Sequence, residues 1–286
     1  MALLNEGDEA IFFEPLYDAY LPLCQRCGGV VKTVKLNPHD WSVPREELAA
    51  AFSPKTKLIL VNSPHNPTGK VFSDADLDFI AELCRQHNVY AVLDEVYEHL
   101  VFPGHRHVSL RTLPGMSERS VRIGSAGKTF SFTAWKVGWV TGPSHLVTAI
   151  TKAHSFMIFT VPSNLQRAVA HGLDHEQNFF LSMGAALQRK RDYLADRLSA
   201  IGFRILPAQG TYFLVADFSP LLPEGSVEGD VDFCHRLTVD GGVTVLPVSA
   251  FYSGQGAPRT LVRFCFCKDD AKLVKACDLL EQYFKR

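Results

Sequence analysis

The sequence lacks long apolar runs, an excess of one charge sign and a leader-like start. No uninterrupted apolar run approaches the roughly 18 residues that a membrane span needs, and Met1-Ala-Leu-Leu is neither basic nor long enough for a signal peptide. Lysine plus arginine (29) nearly balances aspartate plus glutamate (30), so no net field favours nucleic acid or an anionic membrane as a partner. These absences predict a soluble, cytoplasmic protein with neither kind of partner.

Metal-ligand motifs are also missing. Cys24 and Cys27 form a single CxxC without a second pair at zinc-ligand spacing, and no HExxH is present. The seven cysteines are odd in number, and most lie in apolar runs such as Arg263-Phe-Cys-Phe-Cys267. This distribution predicts reduced core cysteines rather than a disulfide framework, and no metal site.

Short β-rich runs recur through the first half of the chain. Most are separated by helix-like stretches such as Asp74 to Gln86, for which Ser73 is a plausible N-cap. This alternation predicts an α/β fold with a mostly parallel sheet. The predicted strands are Glu9 to Phe13, Val30 to Val34, Leu58 to Val61, Tyr90 to Leu93, Ser120 to Ile123 and Val137 to Thr141.

The pattern changes after Pro143. Two long amphipathic helices are predicted, Ser144 to Leu173 and Asn178 to Ile201. Three strands follow, alternating with helices: Tyr212 to Val215, Val243 to Leu246 and Leu261 to Cys267. We therefore expect a large domain over residues 1–175 and a smaller α+β domain over residues 176–286.

Ligands of open parallel sheets bind beyond the carboxyl ends of the strands, and three predicted strand ends carry polar or aromatic motifs there. They are Glu14-Pro-Leu-Tyr-Asp-Ala-Tyr20, Asn62-Ser-Pro-His-Asn-Pro-Thr-Gly69 and Asp94-Glu-Val-Tyr97. A carboxylate such as Asp94 is costly at the edge of a buried sheet unless a cation pairs with it. Taken alone, the loop tyrosines are better explained by packing and Asn66 by an Asx turn, whereas a helix N-cap explains Asp94 about as well as a functional role does.

The fourth strand end is Gly124-Ser-Ala-Gly-Lys128-Thr129, a loop of small residues that carries one lysine. A phosphate-binding P-loop would require glycine at position 122, which is arginine, so the nucleotide-binding interpretation fails. A lysine among small residues can approach a flat ring closely, and partial desolvation lowers the pKa of such an amine toward that of a nucleophile. A single loop lysine is usually solvated, so this interpretation depends on the other strand ends.

Together these motifs, the Trp135-Lys-Val-Gly-Trp139 segment and the late Arg263-Phe-Cys-Phe resemble, in order, the class I/II aminotransferases. The motifs and their spacing are most similar to those of the group that contains kynurenine aminotransferases, cysteine-S-conjugate β-lyases and methionine aminotransferases. The resemblance implies the large domain of the fold-type I pyridoxal-phosphate enzymes, with its sheet between helices, and the cofactor pyridoxal 5′-phosphate. It also implies amino acid and 2-oxo acid substrates and a homodimer.

The resemblance assigns a role to each matching position. Lys128 matches the catalytic lysine that holds the cofactor as a Schiff base and moves the substrate Cα proton. Asp94 matches the carboxylate that keeps the pyridine nitrogen protonated, and Tyr17 the ring stacked on the pyridine. Asn66 and Tyr97 match ligands of the phenolic oxygen. The matches for the phosphate ligands are Ser125 and Lys136.

The implied substrate site is Arg263, whose planar fork takes the α-carboxylate, with Asn66 assisting. Family members have a further strand, a helix and an N-terminal arm before the point matched by Met1, so the resemblance predicts that the N-terminal part is lacking. The expected activity is transamination of an aromatic or sulfur-containing amino acid. The alternatives are β-elimination from cysteine conjugates on the same scaffold and a catalytically impaired fragment.

Overall fold

The computed structural model describes residues 1–285 and contains two β-sheets. The six-stranded sheet has the order β2-β1-β3-β4-β5-β6, with the first five strands parallel and β6 antiparallel to β5. This agrees with the predicted α/β class. Its strands are β1 (Glu9–Glu14), β2 (Val30–Lys35), β3 (Thr56–Asn62), β4 (Tyr90–Asp94), β5 (Ser120–Ser125) and β6 (Gly138–Thr141).

The second sheet has four strands, in the order β7-β8-β10-β9, and its pairings are antiparallel. Its strands are β7 (Arg204–Ile205), β8 (Phe213–Asp217), β9 (Leu246–Pro247) and β10 (Leu261–Cys265). The helices are α1 (Tyr20–Arg26), α2 (Arg45–Ala51), α3 (Asp74–Gln86), α4 (Ala126–Thr129), α5 (Ser144–Met157), α6 (Ser163–His175), α7 (Gln177–Ile201), α8 (Asp230–Val239) and α9 (Asp270–Phe284). None of these helices within residues 1–285 is both long and apolar enough to cross a bilayer.

The first sheet is covered on both faces at its centre, which explains why β1 is buried along its whole length, whereas the edge strands β2 and β6 are partly exposed. Ile11 and Phe13 of β1 pack in one apolar cluster, whereas Ala10 and Phe12 pack in another. The cluster around Ile11 also contains residues of the second sheet, among them Val215 of β8 and Leu261 of β10. One continuous core therefore connects the two sheets.

A second tie joins the strand end of β1 to the loop beyond residue 250. The carboxylate of Glu14, only 1% exposed, accepts hydrogen bonds from the backbone N–H and the hydroxyl of Ser253, at distances of 2.7 and 2.5 Å. The backbone N–H of Leu16 donates to the carbonyl of Phe251 at 2.7 Å. These bonds fix the second sheet beside the carboxyl ends of the first.

The predicted helix from Ser144 to Leu173 is wrong in one respect, because the structure divides it into α5 and α6. Phe159, between them, has a φ of +68°, and Pro162 stands immediately before α6. Proline has no N–H to continue a helix and disfavours helical backbone in the residue before it, so the chain breaks there. The domain boundary proposed near residue 175 stays a prediction.

Two other expectations need correction. Of the strand predicted at Val243 to Leu246, only Leu246 lies in the two-residue strand β9, since the first part follows directly on the Gly241-Gly242 turn. Cys265 and Cys267, expected in the core, are exposed, because β10 ends at Cys265 and the chain then leaves the sheet. Cys24, Cys84, Cys234 and Cys277 are buried, as predicted for reduced core cysteines.

Candidate active site

The carboxyl ends of β1, β3 and β4 open into a cavity of about 340 Å³ that β10 borders from the second sheet. This volume falls in the range of about 300–1,000 Å³ that is usual for small-molecule sites. Six of the eight predicted site residues line it. The lining consists of Tyr17, Asp18, Tyr20, Asn62, Asn66, Asp94, Val96, Tyr97, Lys128, Phe213, Leu246, Phe251 and Arg263.

Asn62, the last residue of β3, holds two of these residues in place. Its side-chain amide nitrogen donates to the backbone carbonyl of Asp94 at 2.8 Å, and its side-chain oxygen accepts from the backbone N–H of Asn66 at 2.8 Å. The register of the parallel pair sets Asn62 directly beside Asp94. One amide therefore fixes both the strand end that presents Asp94 and the turn that presents Asn66.

Asp94 presents a carboxylate to the cavity from the end of β4. Burial raises the pKa of this carboxyl, and the hydrogen bond that the Tyr20 hydroxyl donates to Oδ2 opposes the rise. The backbone N–H of Val96 donates to Oδ1 at 3.3 Å. A cationic group in the cavity would stabilise the ionised form that burial disfavours.

Arg263 reaches the cavity from β10, where it pairs with Val215 of β8. Its Nη1 donates to Oδ1 of Asn66 at 2.7 Å, and its guanidinium carbon lies 4.0 Å from the ring centroid of Phe213 and 4.8 Å from that of Phe251. Burial lowers the pKa of this guanidinium. Among residues 1–285 its buried Nε has no hydrogen-bond partner, so one face of the fork has a donor to offer to an anion.

Lys128 and Tyr97 lie together in the lining of the same cavity. Lys128, in the short helix α4, has its Nζ 5.9 Å from the centroid of the Tyr97 ring. Tyr97 is 3% exposed and packs edge-on against Tyr212, and burial raises the pKa of its hydroxyl strongly. Tyr97 therefore keeps its proton and acts as a hydrogen-bond donor.

Tyr17 lies at the open side of the cavity. It is 44% exposed and packs edge-on against Tyr20, with the ring centroids 5.4 Å apart. Its exposed ring face is available to a flat partner, as the stacking prediction requires.

The two predicted phosphate ligands, Ser125 and Lys136, are not part of the cavity lining. Ser125 ends β5, and Lys136 stands two residues before Gly138, the residue of β6 that pairs with Ser125. The backbone N–H of Ala126 donates to the carbonyl of Val137 at 3.1 Å. The structure thus brings both residues to the edge of the sheet from which Lys128 projects, without placing them among the other six.

This donor set fits a flat, anionic, aromatic ligand that reacts with an amine. The cavity contains an amine in Lys128, a carboxylate in Asp94 and an open aromatic face in Tyr17. The unpartnered Nε of Arg263, within the described residues 1–285, adds a place for a second anionic group such as a carboxylate. Pyridoxal phosphate with an amino acid substrate has these features.

Sequence reasoning missed Asn62 as a positioning residue and Tyr20 as the donor to Asp94. Asn62 carried a signal, since it is a polar residue that ends an apolar strand. For Tyr20 the only signal was its place in an aromatic loop motif. The cavity contacts of Phe213 and Phe251 had no signal, since both look like ordinary core residues of a strand or turn.

The fold and this site define an aminotransferase. The model of the family described as aminotransferase class I and II matches residues 1–280, and the chain belongs to that family. The predicted resemblance, the α/β fold and the transaminase class are thereby confirmed. The enzymes of this family use pyridoxal phosphate.

Three similar proteins are informative. The kynurenine–oxoglutarate transaminase of Dictyostelium discoideum is 42% identical, covering 98% of this chain and 72% of that protein. The methionine aminotransferase of Escherichia coli is 37% identical, covering 98% of this chain and 72% of its own length. The solved structure of N-succinyldiaminopimelate aminotransferase from Mycobacterium tuberculosis superposes with a TM-score of 0.94 at 38% identity, covering 99% of this chain and 73% of that one.

Proposed function

We propose that this chain binds pyridoxal phosphate and transfers the amino group of an aromatic or sulfur-containing amino acid to a 2-oxo acid. The names of two similar proteins, a kynurenine–oxoglutarate transaminase and a methionine aminotransferase, support this substrate class. The cavity lining supports it too, since tyrosine, phenylalanine and leucine side chains surround the space beside Arg263. Apolar and aromatic walls favour a side chain with a ring or a thioether.

When bound, pyridoxal phosphate supplies an electron sink for the electron pair that remains after the substrate Cα proton leaves. The chain supplies the proton transfers. The Nζ of Lys128 would hold the cofactor and, as a free amine, would remove the proton from the substrate Cα. Asp94 holds the proton on the pyridine nitrogen, because a carboxylate in a partly buried site stabilises a cation beside it.

The remaining residues bind and orient. Asn66 and Tyr97 would donate hydrogen bonds to the phenolic oxygen of the cofactor, and Tyr17 would pack on its ring. Ser125 and Lys136 would bind its phosphate, by hydroxyl and by charge. The free donor of Arg263 takes the substrate carboxylate, with Asn66 held beside it by the bond to Nη1.

The observation that carries this proposal is the shared cavity of Lys128, Asp94 and Arg263, which lie far apart in sequence. Lys128→Ala tests it. With saturating cofactor, methionine or kynurenine as donor and 2-oxoglutarate as acceptor, turnover should fall by at least about 10²- to 10⁴-fold, the contribution usual for a positioned proton-transfer group. Lys152→Ala, which changes an exposed lysine of α5, is the matched control.

A second readout does not depend on turnover. Borohydride reduction of the cofactor-loaded protein should fix pyridoxal phosphate to the peptide that contains Lys128, and mass spectrometry should find no such adduct in Lys128→Ala. An adduct on another lysine contradicts the assignment of Lys128. Cofactor on Lys128 without transfer to any 2-oxo acid contradicts the proposed reaction for this chain.

The homodimer also stays a proposal. The end of α5 and the residues after it expose Phe156 (95%), Ile158 (58%) and Phe159 (81%), large apolar side chains that a second subunit would cover. Light scattering coupled to gel filtration should give twice the chain mass, and a monomer mass at micromolar concentration contradicts the proposal.

A further inference from the structure

Two exposed cysteines stand together where β10 ends. The Sγ atoms of Cys265 and Cys267 are 3.9 Å apart. The backbone N–H of Lys268 donates to the carbonyl of Phe266 at 2.8 Å, closing a tight turn around Cys267 that bends the chain out of the strand. Of the other five cysteines, four are buried and Cys27 is half-buried.

The surroundings of this pair favour a reactive thiolate. The hydrogen bond between the two thiols lowers the pKa of Cys265 to about 6, assisted by the nearby charges of Lys268 and Arg263. The same hydrogen bond raises the pKa of Cys267, which therefore keeps the shared proton. A low-pKa, accessible thiol with a second thiol beside it is the usual composition of a redox-active site.

We propose that Cys265 and Cys267 form a reversible thiol–disulfide site that reacts with low-molecular-weight disulfides. The Cys265 thiolate attacks one sulfur of the disulfide, which breaks its S–S bond and releases one small thiolate. Cys267, losing its proton to solvent, then attacks the Cys265 sulfur and expels the second small thiolate. Two cysteine thiols are oxidised to one internal disulfide, and one small disulfide is reduced to two thiols.

The two sulfurs are already close. To form the disulfide they must approach from 3.9 Å to about 2.05 Å. Between them the side chain of Phe266 is fully buried, and its N–H donates to the carbonyl of Tyr212 at 3.0 Å. The intervening residue is thus anchored while both sulfurs stay on the solvent side.

Trypsin gives a direct assay, because it cleaves after Arg263 and Lys268 and releases both thiols in one peptide, Phe264 to Lys268. The full chain is incubated with oxidised glutathione and its free thiols are blocked with iodoacetamide. After trypsin digestion, the mass of the peptide is measured by mass spectrometry. In the unchanged protein we expect the peptide to lose two hydrogens and to retain no glutathione. In Cys267→Ala, which has no resolving thiol, we expect glutathione to stay on Cys265. The control Cys27→Ala should behave like the unchanged protein.

The pH dependence of alkylation provides a second, independent readout. The iodoacetamide reaction of Cys265 should have its midpoint near pH 6, and Cys267→Ala should move that midpoint upward, toward the ordinary cysteine value of about 8.5. A stable glutathione adduct on the unchanged protein, no reaction at this peptide, or an unshifted midpoint in Cys267→Ala would overturn the proposal.

Discussion

The guanidinium of Arg263 is held between two aromatic rings and keeps one donor free. The guanidinium packs against the rings of Phe213 and Phe251, and its Nη1 donates a hydrogen bond to Asn66. These contacts orient the guanidinium before any substrate enters. A lysine at this position has a single charged nitrogen on a flexible stem and cannot reproduce two parallel hydrogen bonds.

Arg263→Lys should therefore raise KM for both the amino acid and the 2-oxo acid about 10- to 100-fold, as expected when a charged hydrogen bond of about 1.5–3 kcal/mol is lost. Steady-state kinetics with each substrate varied in turn measures the change. Arg204→Lys, an exposed arginine on β7, is the control. An unchanged KM in Arg263→Lys would show that the substrate carboxylate binds elsewhere.

Asp94 should destabilise the protein when no cofactor is bound. Its folded-state pKa is raised by burial, so the carboxyl contributes most to stability while it is protonated, and this contribution is lost as the pH rises through the folded pKa. In the cofactor-free protein, Asp94→Asn should raise Tm at pH 7, and the difference should shrink toward acidic pH.

The same substitution should weaken cofactor binding by about 1.5–3 kcal/mol, because a charge-assisted hydrogen bond is lost. Differential scanning fluorimetry with and without pyridoxal phosphate measures both effects. If the cofactor-free Asp94→Asn variant is less stable than the unchanged protein at pH 7, burial of the ionised Asp94 does not destabilise the fold.

Residue chemistry was predictable from sequence where a motif held several groups in a fixed order. Lys128, Asp94, Asn66 and Arg263 stand in such motifs, and the structure places all four in one cavity. Asn62 was not predicted, because its role depends on the register between β3 and β4, which the sequence alone does not specify. Tyr20 was missed for a related reason: its partner Asp94 lies 74 residues away.

Helix α7 has a glycine in its interior, where glycine is unfavourable. Gly184 lies within this 25-residue helix, where glycine costs about 1 kcal/mol relative to alanine. A Cβ at this position would meet the backbone carbonyl oxygen of Val101 at 2.1 Å. Glycine is therefore required by the close approach of α7 to the segment after β4.

Gly184→Ala should lower the free energy of unfolding by about 1–3 kcal/mol, the usual cost of overpacking, although helix propensity alone predicts a gain. Urea unfolding followed by circular dichroism measures it. Gly172→Ala in α6 is the matched control, since the atoms nearest to its Cβ would belong to the Phe130 side chain and not to the backbone. A Gly184→Ala variant more stable than the unchanged protein would contradict the packing argument.

Elements with clear end signals were predicted well, and those without them were not. Helix α3 begins and ends as predicted, and its start is fixed by the reciprocal capping box of Ser73 and Asp76. The division between α5 and α6 was missed, because the residues around Phe159 continue the apolar pattern while the backbone turns. The two-residue strands β7 and β9 are too short to show a period of two, so their pairing is decided by neighbouring strands.

In the whole molecule, the core that contains Ile59, Val215 and Leu261 crosses from one sheet to the other. Separate unfolding of either sheet would expose this apolar surface to water. We therefore expect one cooperative thermal transition rather than two, although the sequence predicts two domains.

Two kinds of probe test this expectation. The three tryptophans all lie at or before residue 139 and report the first sheet, whereas the buried thiols of Cys234 and Cys277 lie in the core of the second. Tryptophan fluorescence and temperature-stepped thiol labelling should give the same midpoint. Labelling of Cys234 and Cys277 several degrees below the fluorescence transition would show that the second sheet unfolds alone.

The sequence showed two parts as a change from short strands to long helices. It did not show which residues of the two parts contact each other. Asn66 and Arg263 share a hydrogen bond across 197 positions, and no local pattern encodes that contact. Only the family resemblance predicted that both would serve one site.

The ladder between β5 and β6 pairs Ser125 directly with Gly138, so the chain leaves and re-enters the sheet at one point. The residues between them, including Lys128 and Lys136, form a loop whose two ends are adjacent. Residues 126–137 can therefore be exchanged as one unit in protein engineering. A loop of different length from another aminotransferase can replace them while Ser125 and Gly138 stay paired.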